Sequence, residues 1–363
     1  MIMERDLKLD FKDILFKPMR STLSSRKQVE LTRKFVFNNK AYEFIPIVSS
    51  NMDTVGTFEM ANELMKYNML TCIHKHYPID KWNEFIHYHK QNETLEDMKR
   101  LVIPSIGIKE KELELYKQIQ HEFDFLCVDV ANGYSSYFSD YIRKLKDMFP
   151  EKIIIAGNVV SGEMTSELIL AGASIVKVGI GGGSACTTRL KTGVGISQVS
   201  AIIDCANVAH GLGGHIMSDG GCVYPGDISK AFGCGADFIM LGGMFAGVKE
   251  SSGEIIIELH YSHHDENMNP VYEPRQFKRF YGMSSKTAND KYSGGLKEYR
   301  TSEGRDVKVP YKGELKNVVQ DILGGVSSTM TYIGARKLKD IPKCATFVNV
   351  TQVVNNPYDN TTS

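Results

Sequence analysis

The chain has 363 residues, 42% of them apolar and 24% charged, which supplies a sizeable core and excludes general disorder. Lysine plus arginine balance aspartate plus glutamate at 43 each, so no broad basic field is present to hold a nucleic acid. Any phosphate must therefore be gripped locally, by backbone N–H groups and a few side chains.

The segment MIMERDLKLDFKD has no apolar signal core, and no stretch is apolar for the length a membrane helix needs. The cysteines Cys72, Cys127, Cys186, Cys205, Cys222, Cys234 and Cys344 form no CxxC pair and no zinc spacing. The expectation is a soluble, cytoplasmic protein with reduced thiols and neither a membrane nor a nucleic-acid partner.

Short apolar runs recur along the chain: PIVSSN (46–51), LTCIH (70–74), LVIPSIG (101–107), FLCVDV (125–130), KIIIAG (152–157), SIVKVG (174–179), HIMSDG (215–220) and ADFIMLG (236–242). Amphipathic stretches such as FEMANELMKY, KELELYKQIQ, SSYFSDYIRKLKDMF and SQVSAIIDCANVA separate them. Eight alternating strand and helix units predict an α/β fold with a parallel sheet, closed as a TIM (β/α)8 barrel. A doubly wound open sheet competes, but glycine-rich loops follow the sixth, seventh and eighth strands, which favours the barrel. The whole chain, 1–363, reads as one barrel domain with a flap or hairpin insertion at about 248–313. Within it, GEIIIELHY and the run to FKRFYGMSS would pair around the polar tip HHDENMNPVYEP, while KYSGGLKEYRTSEGRDVKVPYKG shows little periodicity. From Asn317, helical spacing resumes and supplies a last outer helix.

The residues just after each strand converge on one face of such a barrel. They are Asp53, His74-Lys75-His76, Asp129 with Asn132, Asn158, the loop GIGGGSACTTRLKTG (179–193), Asp219-Gly220-Gly221 and Gly242-Gly243. Cys186 stands in that loop beside Thr187, Thr188 and Arg189, a setting for a nucleophile; an incidental thiol in a flexible loop is the plain alternative. The two glycine pairs occupy the usual barrel phosphate site, and Asp219 is suited to ribose hydroxyls, so a nucleoside monophosphate is expected; two ordinary glycine turns is the alternative. His74 and His76 could clamp a metal, but later strands end without histidine and Lys75 puts a cation where the metal would go. His263-His264 falls in the polar tip and reads as solvated.

Taken together, the Cys186 loop, the DGG at 219–221, the LGGM at 241–244, FYGMSS and EYRTSEG resemble the IMP dehydrogenase and GMP reductase family over nearly the whole chain. The short stretch between His76 and the third strand leaves no room for the regulatory modules typical of the dehydrogenases, and EYRTSEGR is similar to the reductases' flap. The resemblance implies an oxidoreductase that converts GMP to IMP and ammonia with NADPH, through a covalent thioimidate on Cys186. The alternatives are a compact dehydrogenase running the opposite oxidation and a purine-nucleotide sensor without turnover.

By the same resemblance, Cys186, Thr188 and Glu303 are catalytic. Ser184, Asp219, Gly220, Gly221, Gly242, Gly243, Gly282, Met283, Ser284, Arg300, Thr301, Ser302 and Gly304 hold the nucleotide. Lys75, Asp129, Val130, Ala131, Ile180, Gly181, Met283, Tyr299, Arg300, Ser328, Thr329, Met330 and Thr331 face the cofactor. Ser25 and Arg26 match a pair that reaches a neighbouring subunit's cofactor, which implies a homotetramer. Gly181, Gly183, Cys186 and Arg189 match a monovalent-cation site, with potassium suited to carbonyl oxygens. Two departures are visible: Gly182 stands where the family usually has proline, and the tip near 260–273 is longer, which nothing in the sequence explains.

Overall fold

The computed structural model describes residues 3–299 and 301–351. Eight parallel strands close into a barrel: β1 (Lys40–Ser49), β2 (Met69–Ile73), β3 (Val102–Ile106), β4 (Phe125–Asp129), β5 (Ile153–Val159), β6 (Ile175–Val178), β7 (His215–Asp219) and β8 (Phe238–Leu241). Closure is made by β8 against β1, with Ile239 opposite Ile47 and Leu241 opposite Ser49. The predicted strands and the (β/α)8 class therefore match what the chain does.

Side-chain direction alternates along a strand, so each strand sends every second residue inward. Val48, Cys72, Ile103, Cys127, Ile155, Ile175, Met217 and Met240 form the inner apolar layer. Below them, an antiparallel strand over Arg33–Phe37 pairs with the start of β1 and brings Phe35 and Phe37 against Phe44, Phe125 and Phe238. This aromatic plug closes the end of the barrel opposite the loops that follow the strands. One step up from Cys127, Ile175 and Met217, the same inward column continues as Asp129, Lys177 and Asp219, so the barrel turns from apolar to charged within one layer.

The outer helices bury their apolar stripes on the sheet, as the amphipathic spacing requires. Leu64, Leu113, Leu145, Leu168, Ile202 and Ile228 belong to that shell, and Leu315–Ile333 closes the ring. Thr57 caps the helix Phe58–Met65 by accepting from the Met60 amide at 3.1 Å.

The insertion after β8 is more ordered than its sequence suggests. Strands β9 (Ile256–His264), β10 (Pro270–Tyr281) and β11 (Asp306–Pro310) form an antiparallel sheet, and Lys286–Tyr292 is a helix. The expectation of little structure over 291–313 fails at β11, a strand too short to show a period on its own yet held by pairing to β10. The polar tip turns at Asp265, whose carboxylate accepts the Asn267 and Asn269 amides at 2.8 Å each. Among the described residues no helix is long and apolar enough to cross a membrane.

Candidate active site

A cleft of about 1600 Å3 opens over the strand C-termini, between the loops of the barrel and the flap. Its wall includes Lys75, Asp129, Val130, Ala131, Ile180, Gly181, Gly183, Ser184 and Cys186 from the strand ends and the loop after β6. Thr188, Asp219, Gly220, Gly221, Gly242 and Gly243 continue it, and Gly282, Met283, Ser284, Tyr299, Thr301 and Glu303 close it from the flap. Positions separated by two hundred residues thus share one pocket.

Cys186 sits in a turn held by its own amide donating to the Gly183 carbonyl at 2.9 Å. Its thiol donates to Thr188 Oγ1 at 3.2 Å, and that hydroxyl donates to Glu303 Oε2 at 2.7 Å. The flap segment is stitched to the same loop by backbone. Thr187 donates to the Glu303 carbonyl at 2.8 Å, Arg305 to the Ala185 carbonyl at 2.8 Å, and Cys186 and Gly304 pair as an antiparallel bridge. Gly282 and Gly304 permit this approach, because a Cβ on Gly282 would stand 2.9 Å from the Ala185 carbonyl oxygen. Ser302 braces the turn by accepting the Lys286 amide at 3.1 Å and donating to the Gly304 carbonyl at 3.2 Å.

Gly220 and Gly221 have φ of +92° and +86°, and a Cβ on Gly220 would crowd the backbone of Gly182 and Gly183. Gly243 lies against Ser184, whose hydroxyl a Cβ there would meet at 2.4 Å. The loop after β6 therefore touches each of the other two glycine-rich loops, and all three present bare backbone to the cleft.

Lys177 is the functional candidate that motif reading overlooks. Its ammonium is 2.6 Å from Asp129 Oδ1 and 2.8 Å from Asp219 Oδ2. Asn158 Nδ2 donates to the same Asp219 oxygen at 2.9 Å and to the Gly179 carbonyl at 2.7 Å. Burial works against the charge on Lys177, but the two carboxylates outweigh it and hold the ammonium protonated well past its ordinary range. Burial likewise opposes the Asp129 anion, and Lys177 followed by Lys75 brings its pKa below the usual carboxylate value. The signal was available: a lysine inside the apolar run SIVKVG, at an inward position.

Asp53, at the end of the loop after β1, anchors the flap. Its buried Oδ2 accepts Tyr281 at 2.5 Å, Tyr292 at 2.6 Å and Lys291 at 3.0 Å. Burial opposes its charge, and those three donors more than compensate, so its pKa falls. Tyr292 stacks on His76 with centroids 3.6 Å apart, and His74 stacks on Tyr77 at 4.1 Å. Burial lowers the pKa of each histidine to about 4. The HxH pair is thus part of an aromatic stack, and no metal-ligating cluster occurs among the described residues.

Other expected positions fall elsewhere. Ser25 and Arg26 are exposed on a short 3-10 turn next to the helix carrying Ser328, Thr329, Met330 and Thr331, and none of the six lines the cleft. Met330 is buried in the outer core, so its side chain does not face a ligand there. Arg300 lies outside the described residues. Arg189 does not offer its side chain to a cation. Its guanidinium reaches Asp10 at 3.2 Å and the Ile196 carbonyl at 2.5 Å, bracing the loop from behind.

Residues 8–356 match the model of the IMP dehydrogenase / GMP reductase domain. The chain is similar to GMP reductase 2 of Mus musculus, 51% identical over 362 residues and 98% of each chain. It is 51% identical to GMP reductase of Photobacterium profundum over 363 residues, 99% of each. GMP reductase 1 of Homo sapiens is 52% identical over 357 residues, 97% of this chain and 98% of that one. With its fold and its cysteine loop on the same footing, the chain belongs to the IMP dehydrogenase / GMP reductase family.

Proposed function

We propose that this chain is a GMP reductase, converting GMP, NADPH and a proton to IMP, ammonia and NADP in purine salvage. The observation that carries this reading is the hydrogen-bonded line from Cys186 through Thr188 to Glu303. It gives a thiol both a route to lose its proton and a place to store it.

The thiol proton passes through the Thr188 hydroxyl to the Glu303 carboxylate, leaving a thiolate. That sulfur adds to carbon 2 of the purine and forms the S–C bond. The stored proton returns along the same line to the exocyclic nitrogen, which departs as ammonia and leaves a thioimidate on Cys186. Positioned acid–base groups of this kind contribute about 100- to 10,000-fold. Bound NADPH supplies the hydride that reduces carbon 2. The C–S bond then breaks, the electron pair returns to sulfur, and IMP is released.

The cleft suits such a ligand pair. Gly220, Gly221, Gly242 and Gly243 cradle the substrate phosphate, Asp219 accepts from the ribose, and Met283 and Ser284 face the base. On the other side of Cys186, Asn158 Oδ1 is buried without a partner, an acceptor of the kind a carboxamide N–H would satisfy, beside Asp129, Val130 and Ala131. Lys75 lies at that end, 3.7 Å from Glu112. Carbonyls at Gly181, Gly183 and Cys186 are neutral donors of the type potassium takes. Ser25 and Arg26, exposed and away from the cleft, would reach the cofactor of a neighbouring subunit in a homotetramer, and Ser328, Thr329 and Thr331 are near them.

The test is direct. With GMP and NADPH, absorbance at the reduced-nicotinamide band should fall in step with ammonia release, and IMP with NAD should give no matching turnover. Turnover in the second mixture alone would replace this reading by the dehydrogenase. No turnover in either, with GMP bound, would favour a sensor.

A further inference from the structure

We propose that Lys177 is a positioning residue that holds Asp219 and Asp129 side by side as anions, and so controls recognition of the nucleotide's ribose. The inference rests on the reading above in one respect, that Asp219 accepts from the sugar.

The geometry places the cation behind and the anions in front. The Lys177 side chain is 3% exposed, whereas those of Asp219 and Asp129 are 22% and 30% exposed. All three residues belong to the cleft wall, but the ammonium is almost covered while both carboxylates are open to the cleft. Each gives one oxygen to Lys177; Asn158 donates to the same Asp219 oxygen, leaving the other Asp219 oxygen for the cleft, and Asn51 also hydrogen-bonds Asp129. Room for the lysine is made by Gly157 on β5, where a Cβ would stand 2.6 Å from the Lys177 Cβ. The neighbouring strand has thus given up its side chain at the one level where the lysine passes.

The titratable groups facing this ammonium are Asp129 with Lys75 beyond it on one side, Asp219 on the other, and Cys127 one layer below. Without the lysine, Asp129 and Asp219 would be two anions sharing one polar site with no buried cation between them. Like charges sharing a site oppose each other's ionisation, so one member of such a pair binds a proton more readily. A protonated or turned Asp219 is a poor acceptor for vicinal hydroxyls.

The test measures binding of GMP and 2′-deoxy-GMP by calorimetry from about pH 5.5 to 8.5, on wild type, Lys177→Met, Asp129→Asn and the Lys177→Met/Asp129→Asn double variant. Wild type is expected to prefer GMP by a ratio that changes little with pH, the phosphate's own titration being common to both nucleotides. Lys177→Met should lose about tenfold or more in GMP affinity near pH 6, with discrimination between the sugars largely gone and partly regained at high pH. Asn158 still donates to Asp219 at 2.9 Å, so removing the second anion should make the lysine dispensable, and the double variant should bind GMP within about threefold of Asp129→Asn. A loss of packing alone would not track pH or the 2′-hydroxyl.

A folded Lys177→Met that binds both nucleotides as wild type does overturns the inference. Should that variant not fold, the double variant decides: GMP affinity about tenfold or more below Asp129→Asn also overturns it. Failure of folded wild type to bind GMP at all would strike the proposed function instead.

Discussion

Glu303 Oε2 accepts the Thr188 hydroxyl at 2.7 Å across 115 residues of chain, a side-chain contact added to the backbone bonds that join the flap to the nucleophile's loop. Glu303→Gln and Thr188→Ala are each expected to lower kcat by about 100- to 10,000-fold with little change in GMP affinity. Cys186→Ala should end turnover altogether while still binding GMP. Steady-state rates with GMP and NADPH, beside calorimetric binding, check all three; a Glu303→Gln variant with undiminished kcat would remove the carboxylate from the proton route.

Gly220 combines a left-handed φ with close backbone neighbours. Gly220→Ala should therefore cost about 1–2 kcal/mol of local strain and raise KM for GMP more than kcat falls. Gly226, with open space around its Cβ position, is the control, and Gly226→Ala should leave KM unchanged.

Asp53→Asn keeps the volume but removes the charge that holds Tyr281, Lys291 and Tyr292. A loss of about 1.5–3 kcal/mol is expected. Limited proteolysis should cut the flap faster in this variant, and kcat should fall although Asp53 is not proposed to touch substrate. Equal protection of the flap in both proteins would show that the anchor is not what holds it.

His74 and His76 are held neutral in the fold, with pKa values of about 4. In the unfolded chain they titrate near 6.5, so between these values the unfolded state binds more protons. Stability should be full above about pH 6.5 and decline as pH falls toward 4, by on the order of 2–3 kcal/mol for the well-buried His74. Asp53 and Asp129, with lowered pKa values, add to the loss at the acid end. His210, raised chiefly by its hydrogen bond to Asp237, acts in the opposite sense, favouring the fold below its unfolded pKa and losing that contribution as pH rises through the folded one. Melting temperatures across this range check the net slope, and His74→Phe should flatten it.

Gly182 has no left-handed φ, and a Cβ there would make only ordinary contact with Gln198 at 3.4 Å. Gly182→Ala should stabilise the loop by about 0.4–1 kcal/mol by restricting the unfolded chain. If the loop carbonyls hold potassium, potassium should raise the melting temperature of wild type above that in a large organic cation. Identical melting in the two salts would count against the cation site.

The barrel was legible because each strand announces itself as a short apolar run at a regular interval, and because Cys186, Asp219-Gly220-Gly221 and Gly242-Gly243 all follow such runs. What stayed hidden depends on side chains meeting across the fold. Lys177 reads as one charge in an apolar strand until Asp129 and Asp219 stand on either side of it. Tyr281, Lys291 and Tyr292 belong to a segment with weak periodicity, and only their common target, Asp53, gives them a purpose. Strand β11 is short and charged, so its pairing with β10, rather than its own composition, makes it a strand. Arg189 carries a cation in a loop expected to hold one, yet Asp10 from far upstream claims it.

The pairing of Cys186 with Gly304 has a consequence for the resting protein. Glu303 is the next residue back along the chain, so whatever lifts that stretch of backbone also takes its carboxylate away from the Thr188 hydroxyl, and the hydroxyl beside the sulfur is left without its acceptor.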